Sequence, residues 1–150
     1  MLDVYTVCFF GHRRLDKISS LEKQLDEIVS RLIKEKEYVE FLIGHEGEFD
    51  ELCASVIRGA KRKYSNGNCE LNLILPYPKS GIDDKYESYD NIEVCADAAQ
   101  AHFKTAIYIR NRCMCERSDL AVCYATHEGG AYSALEYAKS LGIETIELQE

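Results

Sequence analysis

The feature that most constrains this chain is a regular alternation of short apolar runs with helical repeats. Val4 to Phe10 is β-branched and aromatic with no polar alternation, the pattern of a strand covered on both faces. Leu21, Leu25, Ile28, Val29, Leu32 and Ile33 then recur at helical spacing, opened by a Ser19–Glu22 capping box. Val39 to Ile43 is a second strand. Leu52, Val56, Ile57 and Ala60 mark a second helix, and Leu71 to Leu75 is a third strand stopped by Pro76 and Pro78. A helix over 103–117, a strand over 120–124, a helix through Leu135, Ala138 and Leu141, and a closing strand over 143–148 complete the series, with Gly142 at a helix C′ position. Covered strands joined by helices require right-handed crossovers. The expected fold class is therefore α/β: a Rossmann-like three-layer sandwich, with a mostly parallel sheet of about five strands, spanning residues 1–150 as a single domain.

The interval from Tyr77 to about His102 breaks the pattern with Pro, Gly, Ser, Asp and Tyr, apart from a brief apolar piece at Ile92 to Cys95. A stretch this long is expected to be a lid, a binding loop or an excursion. Its Tyr77, Tyr86 and Tyr89 either cover a ligand or serve ordinary loop packing.

Several function classes fall away. No run approaches the roughly 18 apolar residues of a membrane helix, and no basic, apolar leader precedes the first strand, so no membrane is expected and the cytoplasm is the expected compartment. The seven cysteines are scattered through element interiors, and Cys113 and Cys115, the only close pair, face different directions on a helix. Reduced, buried thiols are expected, with no metal and no cofactor. A formal charge of −8 argues against a nucleic-acid surface, which needs clustered Lys and Arg. Arg13-Arg14 and Arg110-x-Arg112 still allow a local positive pocket.

Three polar or glycine-rich turns follow strands and are expected to gather at the carboxyl edge of the sheet, where open parallel sheets bind ligands. They run over Gly11, His12 and Arg13, from Gly44 through Gly47 to Asp50, and from Thr126 to Ser133. In the last, Gly129 and Gly130 open a helix, and glycines there let an anion reach unpartnered backbone N–H groups. Arg13 is suited to clamping a phosphate, and His12 either serves a ligand or a proton, or bonds backbone at a strand end. Asp50 either bonds a ribose hydroxyl or caps the second helix. Arg110, flanked by Ile107 and Met114 on its inward face, needs an anion: Glu136 or a ligand phosphate. Glu136 is expected near the sugar of a bound nucleotide, where a carboxylate stabilises positive charge on a breaking glycosidic bond.

The residues Arg110, Met114, Asp119, Gly129, Gly130 and Glu136, with Ser133 where threonine is usual, resemble the pattern of the SLOG superfamily. That group includes the Lonely Guy phosphoribohydrolases and the DprA/Smf proteins, and with Gly11-His12-Arg13 the chain looks closest to a small bacterial branch. The pattern is departed from at Tyr132, in place of a glycine, and at Asn111, in place of a lysine. The resemblance implies a Rossmann-like domain binding a nucleotide-derived small molecule such as a nucleoside phosphate, an ADP-ribose-like compound or a cyclic nucleotide, as sensor or binding protein. The alternative it implies is an N-glycosidase that cleaves a nucleoside 5′-monophosphate, with Arg110 and Glu136 catalytic. It also implies a homodimer or higher homo-oligomer.

Overall fold

The computed structural model describes residues 2–64, 66–79 and 87–150. The elements run β1 (Val4–Gly11), α1 (Ile18–Glu35), β2 (Tyr38–Ile43), α2 (Glu48–Tyr64), β3 (Cys69–Leu75), β4 (Asn91–Val94), α3 (Ala96–Ala99), α4 (Phe103–Arg117), β5 (Leu120–Tyr124), α5 (Gly130–Leu141) and β6 (Glu144–Glu147). Every pairing is parallel and the strand order is β4-β3-β2-β1-β5-β6. The α/β expectation thus holds, with a sixth strand among the described residues.

The sixth strand is the apolar piece near Ile92, which pairs beside β3 at the sheet edge with most of its side chains exposed. Neighbouring side chains on a strand point to opposite faces, so β1 divides between two layers. Val7 and Phe9 join Leu21, Leu25, Phe49 and Ile57 from α1 and α2, while Cys8 and Phe10 join Met114, Cys115, Ala134 and Leu135 from α4 and α5. The result is a three-layer sandwich.

Helix starts differ in part from expectation. The first residue of α1 is Ile18, and Lys17 accepts from Leu21 N–H at 3.4 Å, so Ser19 stands inside the first turn and makes no cap with Glu22. Gly142 does close α5, with φ of 76°, a left-handed conformation that glycine adopts without penalty. Of the cysteines, five are buried, while the half-buried Cys95 and Cys113 bring their sulfurs to 3.1 Å. No helix among the described residues is long and apolar enough to cross a membrane. Tyr86 lies outside the described residues.

Candidate functional site

The chain steps outward from β1 through β2 and β3 to β4, then returns to lay β5 against the other side of β1. Helices diverge to opposite faces at such a reversal and leave a crevice at the strands' carboxyl ends. Here that crevice is a cavity of about 640 Å³. It falls within the range of roughly 300–1,000 Å³ typical of small-molecule sites. The wall is built by the exit of β1, by Gly44 and Glu46 after β2, by Asp50 of α2, by one face of α4 and by the start of α5.

The rim centres on the first turn of α5. Gly129 has φ of 153° and ψ of −164°, a region that essentially only glycine enters. Ser133 N–H bonds the Gly129 carbonyl at 3.0 Å, and no side chain caps the N–H groups ahead of it. A Cβ on Gly129 or Gly130 would meet nothing within 4 Å, so these amides border open space. Exposed Arg13, Arg14 and Lys104 share the cavity wall, with Glu128 as the rim's acid, and the helix dipole adds positive potential.

The floor centres on Arg110, only 2% exposed. Its Nη1 donates to the Ile74 carbonyl at 2.8 Å, its Nε to Asn111 Oδ1 at 2.9 Å and its Nη2 to Glu46 Oε1 at 3.4 Å. Gly44 leaves room for this packing, since a Cβ there would lie 3.1 Å from both terminal nitrogens. Asp50 Oδ2 accepts from Glu46 N–H at 2.9 Å. Burial pushes the Asp50 carboxyl up to about 6, against the lowering effect of that hydrogen bond and of the Arg110 charge. The helix-cap reading of Asp50 is corrected: α2 starts two residues earlier, and the carboxylate reaches back to the turn.

His12 lies between rim and floor. Its Nε2 accepts from Thr126 N–H at 2.9 Å, so the backbone-bonding reading describes it, and its ring stacks on His127 at 3.8 Å. Burial, then the neighbouring His127, pushes its pKa below the ordinary histidine value. Thr126 and Gly47 support the wall from behind. A Cβ on Gly47 would strike the Arg13 backbone at 2.5 Å, and one on Gly11 the Phe49 ring at 2.1 Å.

Glu136 does not share this cavity. Its side chain is 53% exposed and pairs with Lys139 at 3.9 Å. The face of α5 that carries Ala131, Ala134, Leu135 and Ala138 is buried, and Glu136 projects away from it. Of the two anions the sequence offered for Arg110, Glu136 is therefore corrected: the protein partner is Glu46. Ser133 is exposed and likewise outside the wall, as are Tyr77 and half-buried Tyr89, which stacks under Arg58 at 4.9 Å. Asp119 is structural, accepting Thr6 N–H at 2.9 Å. Sequence reasoning misses Lys104, His127 and the role of Glu46. Lys104 was within reach, because it stands three residues before Ile107 on the helix that carries Arg110.

No family model and no curated protein matches the chain. Among solved structures, the X-ray structure of DNA processing protein A (DprA) from Streptococcus pneumoniae is similar, with a TM-score of 0.68 at 16% identity over 95% of this chain. The fold is DprA-like. This chain spans 50% of that one, so the likeness speaks for the Rossmann-like domain alone. Among the described residues no group of three or more His, Cys, Asp and Glu is placed to hold a metal ion.

Proposed function

We propose that this chain, as a single SLOG-like unit, binds a nucleotide-derived small molecule at the carboxyl edge of its sheet, as a sensor or binding protein. One observation carries the reading: an uncapped, glycine-opened helix start borders a cavity of about 640 Å³ that also holds Arg13, Arg14 and Lys104. Free N–H groups at a helix start, a favourable dipole and arginine forks are the elements that bind phosphate. The cleavage alternative draws no support from Glu136, which stands outside the cavity.

The neighbour's name concerns DNA processing, whereas this chain carries −8. Nucleic acid is left out of the proposal, and an oligonucleotide serves as its control. A homodimer belongs to the same reading through the SLOG resemblance, and sedimentation tests it.

Calorimetry against nucleoside monophosphates, cyclic nucleotides and ADP-ribose is the direct test. Binding in the micromolar range, lost in Gly130→Asp, is expected. Absence of binding by every member at millimolar concentration overturns the reading.

A further inference from the structure

We infer that the cavity is bipolar: the rim takes the ligand's anionic end, and the floor formed by Asp50, Arg110 and Asn111 takes an uncharged group bearing a hydrogen-bond donor, a sugar hydroxyl or a base amino group. The inference rests on the nucleotide-binding reading and adds an orientation to it. It also departs from the alternative, open in the sequence, that Arg110 meets a ligand phosphate.

The charge of Arg110 is already answered. Its guanidinium bonds Glu46 and the Ile74 carbonyl, and the Asp50 carboxylate lies close enough to interact with it electrostatically. Lys79 Nζ also pairs with Glu46 Oε1 at 3.7 Å, so two cations face two carboxylates and the floor has no surplus positive charge to attract a phosphate. The rim's Arg13, Arg14 and Lys104 outnumber Glu128, and the α5 dipole adds to them.

The floor also holds unused hydrogen-bonding capacity. Asp50 is 9% exposed, and its Oδ2 is spent on Glu46 N–H, while its Oδ1 has no partner among the described residues. Asn111 is 8% exposed, and its Oδ1 is spent on Arg110, while its Nδ2 has no partner among the described residues. Buried polar atoms left unmade are costly, so a cavity that keeps them is complementary to a ligand that completes them. A free acceptor and a free donor in the lining of one cavity match a group that donates and accepts at once. A hydroxyl does this, and so does the amino edge of a base. A phosphate offers acceptors only and would face the Asp50 carboxylate.

The test compares probes at pH 7.5, where the Asp50 carboxyl, raised to about 6, is ionised. Calorimetry is run with the four nucleoside 5′-monophosphates and with inorganic phosphate on the wild-type chain, on Asp50→Asn and on Gly130→Asp. The asparagine keeps an acceptor for Glu46 N–H but turns a donor toward the ligand's donor. Asp50→Asn is expected to weaken the tightest monophosphate at least 30-fold while changing phosphate binding less than threefold, and Gly130→Asp is expected to abolish both. On the wild-type chain, deoxygenating the sugar or methylating the base amino group should produce a comparable loss without any variant. Unchanged or tighter monophosphate binding by Asp50→Asn, or no loss from any modified nucleotide, overturns the floor assignment alone. If no monophosphate binds the wild-type chain, the nucleotide reading falls and this subsite with it.

Discussion

The two ends of the sheet are both polar and differ in how that polarity is used. At the amino edge, Asn72 Nδ2 donates to Glu40 at 2.9 Å and to Glu70 at 2.8 Å, Tyr38 donates to Glu70 at 2.7 Å, and Asn91 Nδ2 donates to Asn72 Oδ1 at 2.9 Å. Thr6 Oγ1 donates to Glu40 at 3.1 Å, and Arg117 closes the ladder against Glu93 and Glu40. Each of these groups answers another, across four strands. At the carboxyl edge, Asp50 Oδ1, Asn111 Nδ2 and the first amides of α5 have no such answer among the described residues, and they border open volume. A candidate site is marked by polarity that the fold leaves unspent.

The sharpest way to break this contrast is Gly130→Asp. Gly130 has an ordinary φ and open space at its Cβ position, so the aspartate is accommodated while its carboxylate occupies the anion seat. Nucleotide affinity is expected to fall about a thousandfold, roughly 4 kcal/mol, with little change in the melting temperature. Calorimetry and a thermal melt on the same sample separate the two. Retained affinity would show that the α5 start is as inert as the amino edge.

The next effect concerns stability against pH. The Asp50 carboxyl rises from 3.8 to about 6 in the fold, chiefly through burial, so the folded chain holds its proton more tightly than the unfolded one. The stability linked to this proton is fully present below the unfolded value and is lost as pH rises through the folded value. Wild-type stability should therefore decline between about pH 4 and pH 6 by up to about 3 kcal/mol on account of this group. Asp50→Asn removes that decline, and the difference between urea titrations of variant and wild type at pH 4 and pH 7 measures it. Parallel pH dependences would mean that Asp50 is solvated.

At the saturated end, Asn72→Ala should cost about 2 kcal/mol, because Glu40 and Glu70 each lose a buried donor. Ligand affinity should be untouched. A loss of affinity would erase the distinction between the two ends.

How much of this was legible follows from what sequence patterns encode. The helices over 103–117 and 130–141 and the strand over 120–124 were readable because apolar spacing reports a covered face. The β4 strand was not, since Asn91–Val94 is an edge strand with exposed side chains and so lacks that signature. The burial of Arg110 was legible from Ile107 and Met114 beside it. Its partner was not, because Glu46 lies 64 residues away in a turn, and only the β2–α2 corner brings it there. The place of the cavity followed from topology, whereas the division of labour between rim and floor depended on bonds that no periodicity records.

The smallest effect is the one that most directly separates motif from geometry. Glu136 completes the spacing that resembles the SLOG pattern, yet its side chain is 53% exposed and, among the described residues, paired only with Lys139 across one helical turn. Exposed pairs of this kind contribute little, because solvent screens them and two flexible side chains must be ordered. Glu136→Ala should therefore shift stability by no more than about 0.5 kcal/mol and leave nucleotide affinity within twofold. Calorimetry on the tightest nucleotide decides it. A tenfold loss would require the carboxylate to swing into the cavity on binding, or a second copy of the chain to present its own Glu136 there. Either outcome would move the boundary of the site beyond the walls seen in one chain.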